Sequence, residues 1–331
     1  MATIKIKDTD RMVTINISKE EETEMAITNI KEFAEVIANR ITEVSEKYEA
    51  EVFEVVKFND EKLYGVRVKE RGSKVGAGPV FYLESAYEDY ENGASINGIV
   101  TALIDHADSL PPMPMAPADI EDLSFDAVKD KLSFRVLEVA RNEEFLDDKP
   151  YKADNFGTGL GMIVDIHFNN EYRTTVNYNL MEKFEDEGHY GAEVIKTALE
   201  NAKKIDPPKF SDMGSALFGG SERNLLDEDD FEWEDDGGMF VLSTESGMFG
   251  ASALFYPGIL DRISEMFGVG LFILPSSVHE VIILPDTGAH NPEMLKQLVR
   301  QANRTVVEPN EVLSDNVFYF SYAENNLSIA A

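Results

Sequence analysis

The chain has 331 residues, 43% of them hydrophobic, with 62 acidic against 30 basic side chains and a net charge of −32. At roughly 100–200 residues per domain, two or three packed units are expected, and the apolar content excludes a chain disordered throughout. The lack of cysteine excludes disulfides, thiolate nucleophiles and cysteine-bound metals, and the charge repels nucleic acid and anionic membrane while favouring basic protein surfaces.

In chain order, 3–7 and 12–17 alternate polar and apolar residues and predict a hairpin with the turn "KDTD". Such an N-terminus is not a signal peptide, and no apolar run approaches the ~18 residues of a span. A soluble, cytoplasmic protein is expected. Ser18, with Glu21 three residues on, has the pattern of a helix start. Apolar residues at Ile30, Phe33, Ala34, Ile37, Ile41, Val44 and Tyr48 follow in steps of three and four, predicting one stripe on a long helix. "EVFEVVKFN" and "KLYGVRVKE" predict a second hairpin, and "VFYLES" another strand. "RGSKVGAGP" is a Gly-rich loop without the GK[ST] of a phosphate loop. Two helical pieces broken at Asn92-Gly93 come next, with Ser95 placed to cap the second.

Four prolines crowd "PPMPMAPAD", which predicts an extended linker over 111–119. The organisation expected is an N-terminal α+β unit over 1–110, this linker, and a middle α+β unit over 120–210. An irregular acidic insert over 211–236 and a C-terminal unit over 237–331 complete it. The middle unit begins with a helix near 124–132 and a strand near 133–141. The strands "LGMIVDIHF" and "YRTTVNYN" and the amphipathic helix "AEVIKTALENAKKI" follow. In the C-terminal unit "GMFVLST", "ASALFYP", "GLFILP" and "VHEVIILP" read as strands. "GILDRISEMFG" and "NPEMLKQLVRQANRTV" read as helices, the second capped by Asn291 with Pro292 in its first turn, and "NVFYFSY" closes the unit. The fold class expected is α+β: mainly antiparallel sheets with helices packed on one face.

Two blocks carry a family resemblance. "VFYLESAYEDYENGASINGIV" resembles the start of an uncharacterised bacterial domain-of-unknown-function family, found largely in anaerobic and gut bacteria and their mobile elements. "ASALFYPGILDRISEMFGVGLFILPSSVHEVIILPD", followed by "EPNEVLSDNVFYF", is similar to its C-terminal block. The resemblance implies no particular chemistry, substrate or cofactor. The linker, "NFGTGLG" and the acidic insert depart from the family's pattern.

Three places invite a functional reading. Ser276, Ser277, His279 and Glu280 sit between two apolar runs and hold the groups a hydrolase would use. In a strand, however, His279 and Glu280 point to opposite faces, so a turn fastened by its own side chains is the simpler expectation. Asp165 and His167, two apart on one strand face, have the spacing of a metal-ligand pair, which alternation also produces. His106, His189 and His290 are scattered and form no H-x-x-x-H. In "DEDDFEWEDD" eight of ten residues are acidic, and Asp229, Asp230, Phe231, Glu232, Trp233, Glu234 and Asp235 form the candidate partner-binding segment. The favoured reading is a non-enzymatic acidic protein without a cofactor. It would bind a basic, nucleic-acid-binding protein as a charge mimic or inhibitor, without touching nucleic acid or membrane itself. The alternative is a hydrolase-type or metal-assisted enzyme built on the His279/Glu280 region.

Overall fold

Regular spacing of apolar residues delivers most of the expected elements. A computed structural model describes residues 2–8, 11–17, 27–72, 78–110, 122–154, 156–168, 173–214, 224–227, 233 and 238–331, the first two ranges as backbone only. The fold is α+β, every strand pairing among the described residues is antiparallel, and the chain divides into two compact units.

The first unit comprises Met1–Lys57 and Glu61–Ala116. Strands β1 (Ala2–Asp8), β2 (Arg11–Ile17), β3 (Tyr48–Val56), β4 (Lys62–Glu70) and β5 (Val80–Tyr82) form a sheet in the order β2-β1-β5-β4-β3. Helices α1 (Ile30–Val44), α2 (Glu84–Glu91) and α3 (Ile96–Ser109) supply its other layer. Phe33, Ile37 and Ile41 of α1 and Ile99 and Leu103 of α3 form one core with Val66, Val68 and Phe81 of the sheet. Helix α1 is capped by Asn29, whose side chain accepts from the Glu32 N–H at 3.0 Å, while Glu32 accepts from the Thr28 N–H at 2.9 Å. Ser18 lies outside the described residues. Tyr48 does not extend the helical stripe: α1 ends at Val44 and Tyr48 opens β3. Ser95 caps α3 as expected, accepting from the Gly98 N–H at 3.2 Å.

The second unit comprises Phe58–Asp60 and Pro117–Ala331. It takes in both stretches read above as middle and C-terminal units. Its first sheet holds β6 (Leu132–Glu138), β7 (Tyr151–Ala153) and β8 (Leu160–His167) in the order β6-β8-β7, with β9 (Arg173–Thr175) also paired to β8. Helices α4 (Phe125–Val128), α5 (Tyr178–Asp186) and α6 (Gly191–Ile205) contribute Phe125, Met181, Phe184, Val194 and Ala198 to a core with Leu132, Val164 and Ile166 of this sheet.

The second sheet runs β10 (Pro208–Asp212), β11 (Phe240–Thr244), β13 (Val281–Pro285), β12 (Leu271–Leu274), β14 (Phe318–Ser321), β15 (Asn326–Ile329). Helices α7 (Ile259–Phe267) and α8 (Pro292–Thr305) accompany it. Leu295 and Val299 of α8 pack on Phe272, Leu274 and Leu284. The acidic run falls in the connection between β10 and β11, two adjacent strands of one sheet. Two expectations are corrected here. "ASALFYP" is not a strand: Gly250–Phe255 forms a tight helical turn, led by Phe249 in the left-handed region at φ 56°. The chain also does not end with "NVFYFSY", because β15 follows and pairs with β14.

Candidate functional site

The sheet face of β6, β8 and β9 gathers polar side chains by register alone. Asp165 of β8 stands opposite Thr175, and His167 opposite Arg173. Arg135 of β6 pairs with Ile163, so it lies diagonally from Asp165 on the same face. Asp165 is fully buried, and its carboxylate is fully engaged. The Arg135 guanidinium donates to it through Nε and, at 2.9 Å, through a terminal nitrogen, while the Thr175 hydroxyl donates at 2.8 Å. A buried carboxylate persists only when paired and hydrogen-bonded in this way. Asp165 and His167 do share a face, but Asp165 has its oxygens on Arg135 and Thr175 rather than free for a metal. Among the described residues no group of three or more His, Cys, Asp or Glu side chains is placed to hold a metal ion.

The stretch from Pro275 to Glu280 is fastened to the segment Glu311–Ser314. The N–H groups of Leu313 and Ser314 donate to the carbonyls of Ser276 and Pro275, at 3.2 and 2.9 Å. The Val278 N–H donates to the Glu311 carbonyl at 2.8 Å, and Ser277 bridges to Val312. The two C-terminal patches of the family resemblance are thus one paired structure. Ser314 is fully buried and donates to Glu138 at 3.0 Å. Glu138 also accepts from Arg141 at 2.5 Å, and Arg141 reaches Asp315.

Within this turn Ser277 accepts from the His279 N–H at 3.0 Å, a local bond of the kind serine makes in turns. The imidazole has a neighbour at each nitrogen. Nδ1 accepts from the Phe249 N–H at 3.2 Å, and Nε2 faces Glu311 at 3.4 Å. Neither Ser276 nor Ser277 bonds to the imidazole, so the nucleophile–base contact of a hydrolase is not formed. Burial pushes the Glu280 carboxyl above its ordinary range. The His279 charge opposes that shift, and the Glu311 charge adds to it.

Phe249 connects the two clusters. Its ring lies under the guanidiniums of Arg135 and Arg173, at 4.7 and 5.2 Å, and 5.5 Å from the His279 ring. Phe58, 5.4 Å from Phe249, takes the same Arg135 over its own ring at 5.1 Å. Aromatic faces attract cations, so these rings supply part of what water would give a half-buried arginine. Burial holds Arg173 below its usual value, with Asp165 and Asp206 opposing that shift and Arg135 adding to it. His167 is likewise held below its ordinary value by burial, against the charge of Asp165 and with that of Arg173. Gly250 makes the turn close enough. A Cβ there would stand 2.1 Å from Ser243 Oγ and 2.6 Å from the His279 carbonyl oxygen. Nothing in the strand-like spelling of "ASALFYP" marked Phe249. The only local signal was the Gly-Met-Phe-Gly sequence at 247–250, a turn composition.

Of the acidic segment, Trp233 is described. It packs edge-on against Phe267, with centroids 5.2 Å apart, and its buried Nε1 has no hydrogen-bond partner among the described residues. Phe267 in turn meets Phe240 at 4.8 Å. The tryptophan is therefore turned onto the fold. Asp229, Asp230, Phe231, Glu232, Glu234 and Asp235 lie outside the described residues.

The model of a family of unknown function, DUF5688, matches residues 30–322. The chain belongs to that family. The match runs through both units and takes in the Phe249 cluster and the paired Pro275–Glu280 and Glu311–Ser314 segments. No curated protein and no solved structure matches the chain. No helix among the described residues is long and apolar enough to cross a membrane.

Proposed function

We propose that this DUF5688 protein is a non-enzymatic, acidic binding protein whose partner is a basic, nucleic-acid-binding protein. The observation that carries this reading is the engagement of the reactive groups. Nδ1 of His279 and both oxygens of Asp165 are taken up by the protein's own backbone and side chains, and Nε2 of His279 lies 3.4 Å from the Glu311 carboxylate. The polar cluster serves to hold a turn and a sheet face together. The net charge of −32 is then the property with a reach beyond the molecule. Charge of one sign steers an oppositely charged partner and speeds encounter, with a steep dependence on salt. The run Asp227–Asp236, eight of whose ten residues are acidic, is the densest part of that charge.

The test is affinity capture from host lysate, with elution in rising salt and challenge by duplex DNA. A basic protein that leaves at moderate salt, and that DNA displaces competitively, is the expected result. Capture that survives high salt, or that DNA does not displace, overturns the reading.

A further inference from the structure

Two side chains of the polar sheet face take no part in fastening it. His167 of β8 and Arg173 of β9 stand directly opposite one another. Their side chains therefore share a face, with Cβ atoms about 5 Å apart. Both are part-buried. The Arg173 guanidinium reaches no oxygen among the described residues. Its contacts are the Met248 sulfur at 3.9 Å and the Phe249 ring at 5.2 Å. Neither ring nitrogen of His167 has a hydrogen-bond partner among the described residues.

The carboxylates nearby are committed elsewhere. Asp165 and Asp206 are the acids whose charge reaches this pair, and Arg135 is the other cation. Asp165 gives its oxygens to Arg135 and Thr175. Asp206 accepts from the Ser246 N–H at 3.0 Å on one oxygen and from the Ser246 hydroxyl at 2.6 Å on the other. Formal charge is thus balanced, two arginines against two carboxylates, but hydrogen bonding is not. A guanidinium carries five N–H donors, and those of Arg173 meet only a thioether, a weak acceptor. Water does not fully make up the difference, because burial already holds Arg173 below its usual value.

The unmet donors select a ligand. A cation would meet Arg173 and Arg135, and an apolar group would leave the donors bare. A carboxylate or phosphate fits, since the guanidinium fork offers parallel donors to two of its oxygens and an adjacent imidazole N–H can add a third. The Phe249 ring holds the fork in place beforehand, which lowers the ordering cost of binding. Met248, beside the fork, is exposed, so the site is open to solvent.

We infer that Arg173 and His167 form a binding site for a small oxyanion, a carboxylate or phosphate group, with the Arg173 fork on two of its oxygens and the His167 N–H beside it. The site does not rest on the charge-driven partner binding proposed above, because it uses basic side chains and leaves the acidic surface free.

The probes are inorganic phosphate and acetate, titrated into the full chain with its histidines isotopically labelled and with ionic strength held constant by sodium chloride. His167 is assigned by comparison with His167→Gln. His189, stacked on Phe125, and His290, beside Phe272, serve as references. A saturable shift of the His167 signal is expected with at least one oxyanion, with a dissociation constant of about 1–10 mM because the net charge of the protein opposes the ligand's. The pH midpoint of that signal should also move upward, since a bound anion favours the imidazolium. Which of the two anions binds more tightly separates a carboxylate site from a phosphate site. Arg173→Gln should weaken binding at least tenfold, and Arg173→Lys, which keeps the charge and loses the fork, should weaken it by a smaller factor. Melting curves establish that each variant is folded, and the lysine variant carries the test if the glutamine variant is not. The inference is overturned if neither anion gives a saturable His167 shift by about 50 mM, or if chloride alone produces the same shift. Unchanged binding by the folded variants overturns it equally.

Discussion

The backbone N–H of Phe249 donates to Nδ1 of His279 across 3.2 Å. A backbone amide can only donate, so Nδ1 must be the bare nitrogen and the ring proton sits on Nε2, toward Glu311. Nitrogen-detected NMR of a histidine-labelled sample at neutral pH should therefore show His279 as the Nε2–H tautomer. A ring found with its proton on Nδ1 would contradict the geometry.

Asp165 is the buried half of an ion pair whose other half, Arg135, is held over two phenylalanine rings. Breaking one partner of such a pair costs about 3–5 kcal/mol, whereas replacing both with apolar groups is often nearly neutral. Asp165→Asn should lower the unfolding free energy by about 3 kcal/mol in urea titrations. The double variant R135M/D165L should keep more stability than D165N alone. Equal loss in both would show that the charges themselves are not what the fold requires.

Gly250 is enclosed by Ser243, Thr244 and His279, with the Thr244 nitrogen 2.7 Å from where a Cβ would stand. Two of those neighbours are backbone atoms that cannot rotate away. Gly250→Ala should destabilise by about 1–3 kcal/mol or more, the usual cost of overpacking. It should also disturb the His279 signals, since the clash falls on that residue's carbonyl. A melting curve and a histidine spectrum unchanged from wild type would refute the close approach.

Glu280 predicts a pH dependence with a definite sign. Burial raises its folded-state pKa above the unfolded value. Such a group contributes stability that is fully present below the unfolded pKa and is lost as pH rises through the folded one. At pH 7 the ionised carboxylate therefore weighs against the fold. Glu280→Gln should melt higher than wild type at pH 7, and the gap should close on acidification toward about pH 4. A gap of constant size across that range would show that ionisation is not its cause.

His167 carries the opposite sign. Burial lowers its folded-state pKa from an ordinary value of 6.5. Its contribution is present above 6.5 and is lost as pH falls through the folded value. His167→Gln should flatten the acid limb of the stability curve below about pH 6.5, read as melting temperature against pH. An unchanged acid limb would assign the loss to other groups.

Much of the fold was legible locally. The break between α2 and α3, the Ser95 cap and the Asn291 cap with Pro292 at the first turn each depend on residues within four positions of one another. Such signals survive in sequence because the hydrogen bonds they describe are local. Tyr48 misled because a step of four past Val44 continues a helical stripe on paper, while the chain had already turned into β3. "ASALFYP" misled because small and aromatic residues suit a strand equally well. The left-handed Phe249 and the crowding around Gly250 commit it to a helical turn instead.

The sequence by itself determined the α+β class, the family membership and the charge, since these follow from composition, periodicity and spelling. It also placed Asp165 and His167 on one face, because strand alternation requires that. Only the tertiary structure decided what those side chains meet. Arg135 reaches Asp165 through the register of β6 against β8, and Phe249 reaches His279 through a turn thirty positions away. A side chain's partner is set by which distant segments pack together. Neighbours in the chain do not encode it, so whether a histidine is a base or a fastener is settled only once the fold has closed around it.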